Sequence, residues 1–353
     1  MLPAGVAGLE MGQARWQSWT IRRTLVRFGG SRVDVTERQR RLLALCAIRA
    51  DGASGDRATV DWSLIARQAQ FDEGLDALWA GQLFETSAAA RRWLPVLRRG
   101  IGAPERLAER VETEILAAAG VGAELVTVLD EQYPANLRLI PNLPPFLFYR
   151  GTLAELDAWS VAVVGTRKAS GAALARATAV SGRLAERKVT VISGLARGID
   201  TAAHRAALAR GGRTIAVLGT GITRCYPPEN RDLAEQIAQA GALVSQFWPT
   251  RAPARDTFPR RNVVTSGLSQ GTVVIEASQT SGAKMQARLA LEHGKKLFLA
   301  DTLVSDQDWA RDYVDRHGAI VIRGADDVLP HLATAERVRR KARQNQQLSL
   351  TLL

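Results

Sequence analysis

The sequence predicts an α/β protein in which a parallel, doubly wound sheet follows a helical N-terminal domain. Two observations predict this fold class. From about residue 160 to residue 300, short apolar segments alternate with stretches of helical length and pattern, and glycine-containing bends follow most of the apolar segments. Strands that alternate with helices in this way form a parallel sheet through right-handed crossovers. The first 120 residues show helical patterns instead.

The N-terminal part is predicted as an extension followed by a helical domain. Residues 1–35 show no clear periodicity. Thr36 is a suitable N-cap for the first helix, because the apolar residues follow a charged first turn. The predicted helices span residues 36–50, 60–70, 71–82, 90–100 and 104–120. They define a helical domain over residues 36–120.

The second predicted domain spans residues 121–332. It begins with a strand at 123–130 and a proline-punctuated, extended stretch at 131–151, since proline biases the residue before it away from helix. Residues 308–332 add a helix, a strand and a short helix, and residues 333–353 are predicted to be a basic, flexible tail. Between the extended stretch at 131–151 and the last unit at 308–332, strands are predicted at 160–165, 188–193, 213–218, 241–247, 271–276 and 296–300. Helices are predicted at 171–187, 201–211, 229–240, 261–268 and 282–293.

The basic charge is concentrated in the sheet domain. The chain has 353 residues and a net charge of +12. Residues 161–300 hold 20 Lys and Arg against 8 Asp and Glu, whereas the rest of the chain holds 27 of each. Such a concentration beside glycine bends favours a polyanionic partner over a merely solvated basic surface.

Other classes of protein are not indicated. Cys46 and Cys225 are far apart and have no neighbours at metal-binding spacing, so neither a disulfide framework nor a zinc site is expected. No signal peptide and no apolar run of membrane-spanning length is recognised. We therefore expect a cytoplasmic protein without metal, cofactor or membrane partner.

The loops after the predicted strands carry the candidate chemistry, because ligands of open parallel sheets bind beyond the carboxyl ends of the strands. Nearly all of these loops contain arginine or lysine, and glycine bends expose amides that bind phosphate oxygens. A single loop of this kind is ordinary turn chemistry, but five at one edge favour phosphate binding. The loops are GTRKASG (165–171), SGLARGID (193–200), GTGITRCYPPEN (219–230), SQFWPTRAPARDTFPRRN (245–262) and EASQTSGAK (276–284).

Two nucleotide-binding patterns are absent. The first turn is not G-x-G-x-x-G, and Ser193 and Gly194 stand where a dinucleotide site has an acidic residue. A Walker A sequence is missing as well. Asp200 and His204, four residues apart, are more typical of capping or packing than of acid–base catalysis, and Glu276 of holding a neighbouring loop.

Taken together, these loops resemble the DNA-processing protein A family, DprA, also called Smf. The resemblance covers roughly residues 120–300 in family order. It implies an extended Rossmann-like, non-enzymatic domain that binds single-stranded DNA, forms homodimers and helps to load RecA during recombination or natural transformation. The matching stretches are PPFLFYRG (144–151), AVVGTR (162–167), SGLARGIDTAAH (193–204), AVLGTGI (216–222), YPPEN (226–230), GALVSQF (241–247), FPRRNVVTSGLS (258–269) and SGAKMQARLALEHGKKLFL (281–299).

The resemblance also implies roles for single residues. Arg167 is expected to contact a DNA phosphate. Gly194, Arg197 and Gly198 are expected to form an amide cradle, and Arg260, Arg261 and Asn262 to line the same pocket. The predicted DNA-binding set also includes the remaining loop residues Lys168, Thr220, Ser281 and Lys284.

The sequence departs from the family pattern in three places. SGAK replaces the common SGSL, LADTLVS follows the last family strand in place of a VPG turn, and another pattern stands where a C-terminal winged-helix module is usual. An alternative function is a nucleotide-binding sensor or nucleotide-cleaving enzyme with Glu276 or Asp200 as acid or base. Residues 346–353, QQLSLTLL, resemble peptides that bind bacterial sliding clamps, although an edge strand or a packed end is an alternative role.

Overall fold

The computed structural model describes residues 27–28, 31–32, 35–51, 57–71, 73–99 and 104–351. Internal contacts divide the chain into two units. The first consists of Met1–Glu131, Pro144–Phe146 and Asn345–Leu353, and the second of Gln132–Leu143 and Leu147–Gln344. The predicted extension over residues 1–35 lies almost entirely outside the described residues, and the predicted domain limits stay predictions.

The first unit is mainly helical. Its first helix begins after Thr36, whose side chain accepts from the Gln39 amide in a capping box. Its elements are β1 (Arg27–Phe28), β2 (Ser31–Arg32), α1 (Glu37–Ala47), β3 (Arg49–Asp51), β4 (Arg57–Thr59), α2 (Trp62–Ala69), α3 (Gly74–Trp79), α4 (Ala88–Arg99), α5 (Pro104–Ala119) and β5 (Glu124–Thr127).

The predicted helix over residues 36–50 is too long. It ends at Ala47, because Ile48 is extended and the chain enters the antiparallel pair β3–β4. Alternation of helix and strand over so few residues leaves no periodic signal, so the sequence did not indicate the pair.

The second unit is the α/β domain. Its strands are β6 (Phe146–Gly151), β7 (Ser160–Val164), β8 (Thr190–Ser193), β9 (Thr214–Val217), β10 (Ala242–Ser245), β11 (Gly271–Val274), β12 (Lys296–Ala300) and β13 (Ile320–Ile322). Its helices are α6 (Gly171–Glu186), α7 (Ile199–Ala209), α8 (Arg231–Ala240), α9 (Thr257–Leu268), α10 (Gly282–Glu292), α11 (Asp301–Asp306) and α12 (Asp308–His317). The last helix, α13 (Ala335–Thr351), belongs to this unit as far as Gln344 and to the first unit from Asn345 onward. Short 3₁₀ turns lie at Leu137–Leu139, Glu155–Ala158, Pro228–Asn230, Ala325–Asp327 and Leu329–His331.

The strands confirm the predicted doubly wound sheet. They run in the order β13-β12-β11-β7-β8-β9-β10-β6, and all neighbours are parallel except β10 and β6. The chain winds from β7 outward to β10, then returns to the other side of β7 at β11 and winds outward to β13. The topological switch point therefore lies between β7 and β11, where ligands of such sheets bind.

Both faces of the sheet are covered. Side chains alternate along a strand, so Val163 faces the cluster formed with α6 and α7, whereas Val164 faces the cluster formed with α10 and α12. The central strands are buried on both faces, which explains their continuous apolar runs.

Three features of this unit differ from the prediction. The proline-punctuated stretch ends in β6, which pairs antiparallel with β10. An extra helix, α11, follows β12 directly. The tail predicted as flexible forms α13, because its alanine, arginine, glutamine and leucine residues favour a helix. Within the described residues, no helix has the length and apolar character needed to cross a membrane.

Candidate nucleic-acid interface

The loops after β7 and β8 meet the first turns of α9 and α10 at the switch point. They enclose a depression of about 510 Å³, which we name the switch-point cleft. It is lined by Val164, Gly165, Thr166, Arg167, Lys168, Gly194, Ala196, Asp200, Phe258, Arg261, Asn262, Thr265, Ser281, Gly282, Ala283 and Gln286. Residues predicted from separate loops, such as Arg167, Gly194 and Ser281, thus come together at one site.

Two exposed cations stand in the cleft. Arg167 and Lys168 follow β7 and are both exposed. Among the described residues, neither has a carboxylate within ion-pair distance. The Arg167 guanidinium lies 5.3 Å from the ring centroid of Phe258, which restricts its position without neutralising it. These two charges are available to an anion in the cleft.

A third cation, Arg261, is built into the wall of the cleft. Its side chain is buried, and burial lowers its pKa from the ordinary value. Nη1 donates to the carbonyl oxygens of Gly194 and, at 3.0 Å, of Val217, and Nε donates to Asn262 Oδ1 at 3.0 Å. Arg261 therefore joins the ends of β8 and β9 to α9.

The carboxylate of Asp200 belongs to the same buried network. Its Oδ2 accepts from the amides of Gly194 at 3.1 Å and Ala196 at 3.4 Å. Burial raises the Asp200 pKa, while the charge of Arg261 and these amide bonds oppose the rise. The carboxylate thus fixes the β8 loop, in agreement with the structural role that the sequence favoured.

His204 is buried and lies outside the cleft lining. Its Nδ1 is 2.7 Å from Thr214 Oγ1, and that hydroxyl donates to the Val191 carbonyl. The hydroxyl proton is therefore used, so Nδ1 donates to the Thr214 hydroxyl. Burial lowers the His204 pKa to about 3. This packing role was also the one favoured from the sequence.

The predicted amide cradle is only partly formed. The Gly194 amide already donates to Asp200, so it is not free for a phosphate. Gly198 has φ 74°, and a Cβ there would lie 2.4 Å from the Thr166 carbonyl oxygen. Glycine at 198 therefore allows the β8 loop to pack on the loop that carries Arg167. This close approach explains the glycine as well as phosphate contact does.

Arg197 lies beside the cleft. It lines a small adjoining cavity of about 30 Å³ together with Tyr226, and its Nε is ion-paired with Glu229. This hydrogen-bonded pairing lowers the Glu229 pKa. The next residue, Asn230, donates to the Leu195 carbonyl and to Thr201 Oγ1, both at 2.9 Å. The YPPEN segment thus holds the SGLARG loop.

Three other predicted residues do not line the cleft. Thr220 is buried and donates to the Arg224 carbonyl at 2.9 Å. Arg260 is exposed, and its guanidinium lies 5.3 Å from the Phe247 ring centroid. Lys284 Nζ donates to Gln279 at 3.0 Å and lies 5.7 Å from the Trp309 ring. Spacing alone could not separate these residues from their neighbours that do line the cleft.

Some lining residues were not singled out from the sequence. Phe258 belongs to the FPRRN stretch and faces Arg167, so the motif carried the available signal. Gln286 lies about one turn into α10, and no sequence motif pointed to it. Glu276 accepts from the Ser170 amide at 2.9 Å, which is the loop-holding role expected for it. Within the described part of the chain, no cluster of His, Cys, Asp and Glu is arranged to hold a metal ion.

Known proteins share this architecture. The curated relatives include DNA processing protein DprA of Streptococcus pneumoniae, 37% identical over 204 residues (58% of this chain, 72% of that protein), and Protein Smf of Escherichia coli, 35% identical over 260 residues (73% and 67%). The X-ray structure of S. pneumoniae DprA matches with a TM-score of 0.63 at 28% identity, over 85% of this chain and 99% of that one.

A second solved structure is DNA processing protein A from Helicobacter pylori, described for its single-stranded DNA binding mode. It matches with a TM-score of 0.52 at 25% identity, over 58% of this chain and 94% of that one. The model of the DNA recombination-mediator protein A family matches residues 124–333, more than half of the chain. The resemblance inferred from the loops is thereby confirmed, and the chain belongs to the DNA recombination-mediator protein A family.

Proposed function

We propose that this protein binds single-stranded DNA, with the switch-point cleft as the phosphate-binding site, and acts in DNA processing or recombination. One observation supports this above the others: Arg167 and Lys168 stand exposed in the cleft without a carboxylate partner among the described residues. Charges of this kind form ion pairs with phosphate regardless of the base sequence. The H. pylori relative, described as a single-stranded DNA binder, adds independent support.

The location of the site favours a single strand over a duplex. The cleft lies between loops and helix termini, with the wall residues Gly194 and Arg261 fixed by hydrogen bonds. A flexible strand can bend to bring one phosphate group into such a depression, whereas a stiff duplex cannot. The remaining DNA-binding assignments, to Arg197, Gly198, Thr220, Arg260, Asn262, Ser281 and Lys284, are part of the same proposal as contacts or supports around the bound strand.

The geometry favours binding over catalysis. The alternative, a nucleotide-cleaving enzyme, needs Asp200 or Glu276 as acid or base. Asp200 accepts from two backbone amides, and Glu276 accepts from the Ser170 amide. Both carboxylates hold loops in place, so we propose a binding protein that uses no cofactor.

The wider assembly follows from the family resemblance. We include in the proposal a homodimer and a role in loading RecA on the bound strand. Clamp binding by residues 346–353 is a separate proposal. Its test is co-purification of the sliding clamp with the full chain and with a variant lacking those residues, while strand affinity and thermal stability are monitored. Loss of clamp co-purification alone supports this proposal, whereas loss of thermal stability or of DNA affinity contradicts it.

The function is tested by titrating fluorescent oligo-dT and a duplex of equal length near physiological salt. We expect clearly tighter binding to oligo-dT. Equal affinity for both would indicate a nonspecific basic surface. It would contradict the proposal that the switch-point cleft binds single-stranded DNA. A parallel screen with mononucleotides and dinucleotides separates the alternative function, because release of base or phosphate would identify an enzyme.

A further inference from the structure

The charged residues of helix α4 in the first unit are all positive, and the DNA binding proposed for the switch-point cleft does not account for them. Its sequence, AAARRWLPVLRR, contains four arginines and no acidic residue. All four side chains are exposed, while Ala90, Trp93 and Leu97 bury the opposite side of the helix. We name the exposed side, formed by Arg91, Arg92, Arg98 and Arg99, the arginine face.

The arginines form two rows along the helix. At about 100° per residue, Arg91 and Arg98 lie within roughly 20° of each other, and so do Arg92 and Arg99. The two rows are about 80–120° apart. In each row the arginines are separated by about 10.5 Å along the axis. Between the rows lie only Ala88 and Pro95, both exposed.

Stability of the helix does not account for this pattern. In the last turn Arg98 and Arg99 favour the helix dipole, but Arg91 and Arg92 lie in the N-terminal half, where a cation is unfavourable. None of the four has an ion-pair partner among the described residues, whereas Arg40, Arg41 and Arg67 of the same unit each have at least one. A set of cations on one helix face, without ion-pair partners among the described residues, is suited to a polyanion.

We propose that the arginine face binds the phosphate backbone of duplex DNA. Arginines held at fixed positions on one helix suit the regular phosphate spacing of a duplex. The face has no exposed aromatic side chain on which an unpaired base could stack, since Trp93 is buried beneath Arg92. It has no large exposed apolar side chain either, so it is not built to insert into a membrane. This proposal does not depend on the cleft.

The test compares three variants of the full chain for binding to a duplex at low salt. In the first, Arg91, Arg92, Arg98 and Arg99 are replaced by Gln, which keeps the helix propensity. Loss of four phosphate contacts lowers the salt slope of duplex binding by up to about 3.6 and the affinity by about tenfold or more. The second variant, with the same four residues replaced by Lys, keeps binding. The third replaces the ion-paired, exposed Arg288, Arg311, Arg316 and Arg323 by Gln and also keeps binding.

Circular dichroism and the urea midpoint confirm that each variant is folded. If the first Gln variant binds the duplex as tightly as the unaltered chain, or if the third variant loses as much affinity, the arginine face is not a duplex-binding surface. The oligo-dT titration is run on the same samples. A loss of affinity for the duplex alone leaves the proposal for the switch-point cleft unaffected. If the unaltered chain does not bind oligo-dT, only the proposal that the cleft binds single-stranded DNA is contradicted.

Discussion

Two adjacent arginines of the FPRRN stretch have different environments. Arg260 is exposed, whereas Arg261 is buried with hydrogen bonds to two backbone carbonyls and to Asn262. Helix α9 begins at Thr257, so residues 261, 264, 265 and 268 share its buried side. Arg261 therefore supports the wall of the cleft as much as it offers charge to a ligand.

The pair makes a matched test of this difference. Arg261→Ala leaves Asp200 buried without its opposite charge, so we expect a loss of about 3 kcal/mol or more in the free energy of unfolding. Arg260→Ala removes the same side chain one residue earlier and should cost at most about 1 kcal/mol. Urea unfolding of the two variants measures both. Equal losses would contradict the structural role of Arg261.

At the scale of elements, residues of the loop between β9 and α8 hold the loop that follows β8 in position. Asn230 fixes the backbone at Leu195, and Glu229 holds the exposed side chain of Arg197. An exposed ion pair is weak, so a phosphate can replace the Glu229 carboxylate. Under the proposed function, Glu229 competes with DNA for Arg197.

We therefore expect Glu229→Gln to bind oligo-dT about two- to fivefold more tightly. The control is Glu235→Gln, which removes the same charge from an exposed pair with Arg150 on α8. Fluorescence anisotropy titrations at one salt concentration suffice. Unchanged or weaker binding by the Glu229 variant, or an equal gain in affinity in the control, would contradict this expectation. It would show that the ion pair with Glu229 does not weaken DNA binding by Arg197.

The regular elements were predictable and the exceptions have physical causes. Strands β7 to β12 are buried on both faces, so their apolar runs were recognisable between helical stretches. The start of α9 was placed four residues late, at 261, although Pro259 in the first turn removes no helical hydrogen bond. Strand β6 was missed because its antiparallel partner β10 is about 90 residues away.

The candidate site was predictable at the level of loops only. Topology brings Arg167, Gly194 and Ser281 together wherever the sheet is doubly wound. The burial of Arg261 and the contact of Lys284 with Gln279 depend on tertiary packing, which cannot be predicted from the residues next to them in the sequence. Residues proposed to bind phosphate and residues of the cleft wall therefore look alike in the sequence.

For the molecule as a whole, two buried histidines predict how stability depends on pH. Burial lowers the pKa of His204 from 6.5 to about 3 and that of His293 from 6.5 to about 4. Both are neutral in the folded state, whereas the unfolded chain binds protons at these residues below pH 6.5. Their effect therefore destabilises the fold as the pH falls from about 6.5 towards 4.

Each histidine contributes about 1.4 kcal/mol per pH unit to this loss in that range. Urea midpoints at pH 7, 6 and 5 should fall in the unaltered chain. In the double variant His204→Gln and His293→Gln, the fall should be smaller, even where the variant is less stable at pH 7. An identical pH dependence in both proteins would mean that these histidines titrate normally.

The central claim is that exposed cations in the switch-point cleft bind DNA phosphates. Its most direct test is the salt dependence of oligo-dT affinity for the double variant Arg167→Ala and Lys168→Ala. The matched control, Arg187→Ala with Arg210→Ala, removes two charges at the C-terminal ends of α6 and α7, the ends away from the cleft. We predict weaker binding and a salt slope smaller by about 1.4 for the cleft variant only, since each lost single-strand phosphate contact contributes about 0.7. Unchanged affinity and slope in the cleft variant, or equal changes in both proteins, would contradict the account.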